Sequence, residues 1–441
     1  MSLYSSASDY AKDTWLPVYA HQLGEAEGSL LKLLGLSTDS RVRVEGRTFK
    51  MKVKTGDDHG FGMMTQGGDF PAPGDIASDE ADLELHRFAD TIKFDAHEMA
   101  LLDSLDAAAA PIMQEKMSSS RQRVLRELER QAIMDGTGAL AKVASEVGSV
   151  ITLDVAGAEY TERNPYTWID DPLRSVYSCV DPTDGTEQTT AADSFTITAI
   201  NEATNAITCS IDTGGAAAGD LIVNYYGGDA WTSGGAYRSL EMDGLLAMID
   251  DGNTYMGLNR ATGSLAFWRS TVLDNSGTNR ALTETLIHEL MNKTARRSVK
   301  GSVLPSEYVG LASPGVFTSY HNLMSTGIRY SVSERPDIGW GGRPFLDMDG
   351  VPLYKHISAP RNQILLVHKD SVGFVGPKHD HSSIVKFLDR NGSIFFQANA
   401  ATGTGYSDAA YAMITGWIGM YTERPRNHAR LDDITETAGA Y

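Results

Sequence analysis

The sequence predicts an α+β fold. The stretch Pro111 to Gly138 carries apolar residues at helical spacing, while Arg47 to Lys54 alternates apolar and basic residues as a strand does. From residue 240 onward, helix-like and strand-like pieces follow one another in mixed order. A chain of 441 residues can build two or three core-forming units, and 41% hydrophobic with 22% charged residues is the balance of a soluble globular protein.

Residues 1 to 36 set Trp15, Leu16, Val18, Leu23, Leu30, Leu31, Leu33 and Leu34 among polar residues and end at Gly35. An arm with a short helix is expected. Alone it cannot bury so many large side chains, so it packs on the body or on another subunit. The opening MSLYSSASDYAKD lacks the basic and apolar regions of a secretory signal, and no run reaches the roughly eighteen apolar residues of a membrane helix. The expectation is a protein that stays where it is made.

Phe49, Met51 and Val53 alternate with Lys50, Lys52 and Lys54, the pattern of a half-buried strand. A Gly/Pro-rich tip, GDDHGFGMMTQGGDFPAPG, follows. In the return limb Leu83, Leu85, Ile92 and Phe94 alternate imperfectly with Glu84, His86, Lys93 and Asp95. Together these make an extended hairpin. Its outward limb is basic and the start of its return is acidic (Asp75, Asp79, Glu80, Asp82, Glu84), so the limbs can pair with each other. Such a hairpin has little core of its own and needs neighbours.

His97 to Leu105 is a second apolar-periodic piece, and a break is expected at Ala107 to Ala110 because the residue before proline avoids helical dihedrals. Beyond it Ile112, Met113, Met117, Val124, Leu125, Leu128 and Ala132 fall on one stripe, with Arg121, Arg123, Glu127 and Arg130 elsewhere. Pro111 suits the start, Gly136 the left-handed position after the end. The helix would run about 37 Å, a spine for what surrounds it.

Residues 143 to 240 read as all-β, with short runs at Val150 to Val155, Arg174 to Val180, Phe195 to Ile200, Ala206 to Ile211 and Leu221 to Tyr225. Asn201 to Asn205 is a hairpin turn and Gly214 to Gly219 a flexible link. This block is expected to be a small inserted β subdomain. There follow a helix from Leu282 to Thr294, a strand from Glu307 to Leu311, a helix from Ser313 to Met324, and strands around Phe345, Val351 to His356 and Ile364 to Val367. Pieces at Ser383 to Leu388 and Ile394 to Gln397 precede a long strand, Tyr411 to Glu423, and the tail RPRNHARLDDI.

Chemistry is sparse. HELMN at His288 to Asn292 has asparagine where a zinc-protease helix needs its second histidine. His379-Asp380-His381 has no third ligand in view, so a metal-dependent hydrolase using His379 and His381 is the weakest alternative. MDGTGALAKV follows a helix rather than a strand and reads as a helix stop, not a phosphate loop. Asp347-Met348-Asp349-Gly350 opens like a calcium loop but has Ser358 at position twelve, so a tight turn is expected. No catalytic, cofactor-binding or metal site is expected, and no enzyme. Cys179 and Cys209 sit in strand-like runs, too few for a disulfide framework, and fit a reducing compartment. The net charge of −19 argues against general affinity for nucleic acid or anionic lipid.

The order arm, Gly/Pro-tipped hairpin, spine helix ending in DGTG, β block and mixed remainder resembles the major capsid proteins of tailed bacteriophages, with the Hong Kong 97 type fold. RTFKMKVKTG with GFG and FPAPG looks like their extension loop, and RELERQAIMDGTGALAKV like the end of their spine helix. SFTITAINEATNAITCSIDTGGAAAGDLIVNYYGG is similar to their β insertion. Glu241 to Leu245, Tyr255 to Arg260, LPSEYVGLASPGVFTSYHNL and DMDGVPLYKHISAPRNQILLV look like pieces of the axial domain, and RPRNHARL like the returning end of the peripheral domain.

The resemblance implies an N-terminal arm (1–46), an extension loop (47–95) and a peripheral domain with the spine helix (96–150). It implies further an inserted β subdomain (151–239), an axial domain (240–410), and a C-terminal strand and tail (411–441) returning to the peripheral domain. It implies a structural protein of the virion, assembled in the host cytoplasm as pentamers and hexamers in an icosahedral shell around double-stranded DNA, without sequence-specific contacts and without a membrane. Inter-subunit contacts are expected at Trp15, Leu16, Lys50, Lys52, Lys54, Phe70, Asp79, Glu80, Arg121 and Arg123. Scaffolding and portal proteins are the implied partners, with a decorating protein as a further one. An arm that begins almost at Met1 implies a scaffolding segment already removed, or a separate scaffold. An encapsulin-like compartment of the same fold, holding a cargo enzyme, is the nearer alternative. No matching asparagine can be placed for a covalent cross-link to Lys50, Lys52 or Lys54.

Overall fold

The computed structural model describes residues 44–45, 48–55, 63, 77–95, 98, 109–154, 176–183, 194–201, 204–211, 215–225, 240–252, 254–261, 263–298, 301–304, 306–327, 345–348, 350–356, 358–376, 385–387, 395–399 and 406–436. The arm, most of the hairpin tip with Phe70, residues 99–108 and the His379–His381 triplet lie outside them.

In chain order, strands β1 (Val44–Glu45), β2 (Thr48–Lys54), β3 (Ser78–Glu84) and β4 (His86–Asp95) precede the long helix α1 (Ala109–Ile133). Strands β5 (Ala139–Val147), β6 (Val150–Leu153), β7 (Tyr177–Val180), β8 (Ile197–Asn201), β9 (Ala206–Cys209) and β10 (Leu221–Asn224) lead to a one-turn helix, α2 (Leu245–Met248). Next come β11 (Thr254–Tyr255), β12 (Leu258–Asn259), β13 (Thr271–Leu273), α3 (Glu284–Arg297), β14 (Tyr308–Ala312) and α4 (Pro314–Gly327). The chain continues through β15 (Phe345–Met348), β16 (Val351–Lys355), β17 (Ile364–His368), β18 (Val372–Val375), β19 (Val385–Phe387), β20 (Phe395–Asn399), β21 (Tyr406–Thr422) and β22 (Ala429–Leu431). It divides into two compact units, one of residues 1–128, 252–269 and 373–421, the other of residues 129–251, 270–372 and 422–441.

In the first unit β1, β2 and β3 form an antiparallel sheet, and β4 pairs with β21 along its whole length, from Asp95 opposite Ala409 to His86 opposite Ile418. The expected return limb is thus two strands in two sheets. The phase of burial explains it. Ala81, Leu83 and Leu85 are buried at odd positions, Ile92 and Phe94 at even ones, so alternation slips by one residue after Leu85 and the inward face changes. Phe49, Val53, Ala81 and Leu83 share the buried face of the β2–β3 hairpin. Phe49 lies 5.1 Å from the Tyr421 ring, and a Cβ at Gly419 would stand 3.0 Å from a Leu83 methyl, so glycine admits the close approach of β21. This root of the hairpin therefore has a core within its own chain.

Of the stripe its spacing predicts, helix α1 buries Met117, Val124, Leu128 and Ala132, with Leu125 only half-buried and the Ile112 and Met113 side chains outside the described ones; Ser120 is buried on the same face. It starts two residues before Pro111, so the helix runs through Ala109 and Ala110 where a break is expected. In the first turn no helical partner exists for a backbone N–H, and proline there costs nothing. At the other end Gly136 is left-handed, φ 80°, as its position requires.

In the second unit β5 to β10 form one antiparallel sheet in the order β7-β10-β5-β6-β9-β8, packed on Leu140, Val143, Ile151, Tyr177, Phe195, Ile207 and Ile222. The sheet takes in Ala139–Val147, directly after the helix turn. The link at 215–219 is pinned: Ala216 N donates to Glu146 Oε2 (2.8 Å), Ala217 N to Asp220 Oδ2 (2.7 Å) and Gly219 N to Val143 O (2.9 Å).

A second sheet of this unit is mixed, in the order β13-β22-β17-β14-β16-β15, with β22 parallel to β13 and β16 parallel to β14. Tyr308, Ala312, Val351, Leu353, Ile364, Leu366, Ala429 and Leu431 share one core with Ile287, Leu290 and Met291 of α3 and Val316 and Tyr320 of α4. The alternate residues Val309, Leu311, Leu365 and Val367 are buried too. Helix α3 begins at Thr283, whose Oγ1 accepts from Leu286 N, and ends with Arg296 and Arg297 in its last turn, as the helix dipole favours. β15 and β16 pair with Met348 opposite Val351, Gly350 is at φ 85°, and Asp349 of the expected turn lies outside the described residues. The tail places β22 between β13 and β17, because Ala429 and Leu431 are apolar on the alternation the sheet core needs.

Candidate functional site

Two places gather charge and close backbone contact among the described residues. The first is the solvent face of the β2–β3 hairpin. Period-two alternation turns Lys50, Lys52 and Lys54 outward, and the register sets Lys50 opposite Asp82 and Lys52 opposite Glu80. Lys50 Nζ is 2.9 Å from Glu80 Oε1 and 3.7 Å from Asp82 Oδ1. The hydrogen bond that Lys50 donates to Glu80, then the charge of Asp82, hold the ammonium pKa above its ordinary value. Water screens such pairs, so the ladder orients the two limbs more than it stabilises them. Asp82 N also donates to Met256 O (2.9 Å), which closes part of the outer edge of β3.

Of the expected contact residues, Lys50 and Glu80 meet each other, and Lys52, Lys54 and Asp79 are exposed on the same hairpin. Arg123 is engaged elsewhere: its Nη2 lies 2.6 Å from Asp90 Oδ1, while Ser120 Oγ donates to Asp90 Oδ2 at 2.5 Å, tying α1 to β4. Arg121 is half-buried on the same helix. Trp15, Leu16 and Phe70 lie outside the described residues.

The second place is the C-terminal end of α1. Arg130 Nη2 pairs with Glu241 Oε1 at 2.5 Å, the two side chains 11% and 6% exposed, so water contributes little and each is the other's counter-charge. A Cβ at Gly244 would stand 2.5 Å from Met134 O and 2.7 Å from Ala132 O, and nearer still to Gln131 O, so only glycine fits against these helix-end carbonyls. A Cβ at Gly136 would strike Asp243 in the same way. Asp135 Oδ1 accepts from Thr137 N (3.1 Å) and Thr137 Oγ1 (2.6 Å), fixing the turn into β5. Asp90, Arg130, Glu241 and Gly244 did not stand out as a group in the residue pattern. The available signal is repetition: Met-Asp-Gly occurs at 134–136, 242–244 and 348–350, and the first two copies face each other.

No group of three or more His, Cys, Asp or Glu side chains is gathered for a metal among the described residues. His288 is exposed on α3, 3.7 Å from Glu284 one turn earlier. Cys179 and Cys209 are free and buried in the β-block core. Burial, with the charges of Asp220 and Glu146, pushes the Cys179 thiol far up, and burial with Glu146 pushes Cys209 up to about 12, so neither is a ready nucleophile. Among the described residues no helix is long and apolar enough to cross a membrane.

No protein-family model and no curated relative matches the chain. Solved structures do. The chain is similar to the protein of the cyanophage A-1(L) capsid asymmetric unit, with 13% identity over 93% of this chain and 95% of that one and a TM-score of 0.48. It is similar to the protein of the native GTA particle capsid, with 10% identity over 90% and 91% of the two chains and a TM-score of 0.42. It is also similar to the SrpI encapsulin of Synechococcus elongatus, with 11% identity over 95% of each chain and a TM-score of 0.40.

Proposed function

We propose that this chain is a shell-forming structural protein of the Hong Kong 97 type, the major capsid protein of a tailed bacteriophage. The observation that supports this reading is the order of elements. A hairpin with charge-paired limbs, a 25-residue helix ending in a left-handed Asp-Gly turn, a β block and a mixed sheet with two packed helices follow one another as the sequence resemblance implies. On this reading the copies assemble as pentamers and hexamers, with the arm and the outward hairpin residues Lys52, Lys54 and Asp79 meeting neighbours. Heterologous contacts that close build a shell, and many weak ones give collective strength while permitting correction. A net charge of −19 suits a container whose wall does not hold DNA by counterion release.

The test is expression of the chain with and without a candidate scaffold, followed by electron microscopy and analysis of particle contents. Uniform hollow particles are expected. A monomer at high concentration under both conditions overturns the reading, and purified native particles filled with a cargo enzyme in place of DNA move it to a cellular compartment.

A further inference from the structure

The segment that follows β22 is stitched to two surface turns of its unit and to the buried start of α4. Asp432 N donates to Leu273 O (2.9 Å), and the Asp433 carboxylate accepts from Asn275 N (2.6 Å) and Gly277 N (3.0 Å). Ile434 N donates to Asn362 O and Thr435 N to Arg280 O, both at 2.8 Å. Glu436 then reaches the start of α4. Its Oε1 accepts from Ser313 Oγ (2.5 Å) and Asn362 N (3.0 Å), its Oε2 from Arg361 Nε (2.9 Å), and its side chain is 6% exposed. Ser313 Oγ is also the acceptor for Val316 N (3.3 Å), so the hydroxyl that caps α4 is oriented by a carboxylate placed at the positive end of the helix. A Cβ at Gly315 would stand 2.8 Å from the Glu436 carboxyl carbon, which leaves the carboxylate room only over glycine.

These contacts are nearly all polar. Ile434, fully buried, is the segment's one member of the sheet core. β22 is held separately by its own ladders to β13 and β17. We infer that Asp432–Glu436 is a strap, a two-state fastener in which Glu436 locks the start of α4 to the 361–362 turn and Asp433 locks the 275–277 turn, and that it opens without dissolving the sheet beneath. Opening frees both turns and the start of α4 at once. If the shell reading holds, it thereby alters the face that a neighbouring copy meets while the subunit stays folded.

The experiment is hydrogen exchange with mass spectrometry on the full chain and its Glu436→Ala, Glu436→Gln and Arg361→Ala variants. With Glu436→Ala, exchange in the first turn of α4 and in residues 274–280 and 360–363 is expected to rise about 10-fold or more, while β14, β17 and β22 keep their protection. Glu436→Gln keeps the shape and loses the charge, and Arg361→Ala removes one donor, so both are expected to fall between. Unchanged exchange at both turns and the start of α4 overturns the strap, and so does a uniform rise that includes the three strands, which would make Glu436 an ordinary stability residue. This readout needs no particles. Particle yield of the same variants reports on the shell reading, so that a strap without shells and shells without a strap are separate results.

Discussion

The β2–β3 hairpin and the mixed sheet of the second unit use the same period-two geometry to opposite ends. The hairpin buries one face, with Phe49 and Leu83 under Tyr421 and Gly419, and gives the other to Lys50, Lys52, Lys54, Glu80 and Asp82. In the mixed sheet both faces of β14 and β17 are buried, and polarity is confined to the ends and the following turns. A one-sided sheet can give way locally, because water reaches its open face. A two-sided one cannot relax around a missing side chain. The difference teaches where stability is concentrated and where surface chemistry is free to serve contact.

Substitutions can break or sharpen this contrast. The largest effect is expected for Leu366→Ala at the centre of the mixed sheet, a loss of about 4 kcal/mol in denaturant-induced unfolding of the second unit. Phe49→Ala is expected to cost about 3 kcal/mol in the same measurement, less than its volume suggests, since the exposed side of the hairpin lets the site collapse. If it equals or exceeds Leu366→Ala, the contrast is wrong.

Asp432 gives a smaller effect whose sign depends on pH. Burial, only partly offset by Arg430 at 2.8 Å and reinforced by the charges of Asp433 and Asp274, pushes its carboxyl up to about 6. Because the folded pKa lies above the unfolded value of 3.8, the folded state binds the extra proton between those values. Stability from this group is therefore full below about pH 4, falls as pH rises toward 6 and is level beyond. Asp432→Asn removes the titration, so its stability relative to the native chain is expected to improve by about 2 kcal/mol between pH 4 and pH 8. Parallel pH curves for the two proteins would contradict this. The smallest effect is expected from Lys50 and Glu80. A double-mutant cycle should find weak coupling at low salt and none at about 1 M salt, where the screening length is about 3 Å.

How much of this was legible follows from range in sequence. The lysine alternation of β2, the stripe of α1 and the runs ILLV and YVGLA in β17 and β14 announce their structure within a few residues. Three-residue β13 and β22 do not, since TVL and ARL are too short for a period to be told from chance, and their parallel pairing depends on strands far apart in the chain. The passage from β3 to β4 was visible as imperfect alternation, but which sheet received β4 depends on β21, more than 300 residues away. For the charged sites, Lys50 with Glu80 was open to sequence reasoning because a hairpin folds a chain onto itself. Arg130 with Glu241 and Arg123 with Asp90 were not, because each joins a helix to a segment placed by packing.

The position of β22 has a consequence for how a newly made chain closes. Its neighbours β13 and β17 are hydrogen-bonded to it and not to each other. While translation passes from Leu273 through His368 and on toward residue 428, the slot between them has no occupant, and Leu366 and Leu273 lack the partner side chains of Ala429 and Leu431. An unfinished polypeptide therefore cannot close this core, and only a chain synthesised past Leu431 holds the sheet in its final form.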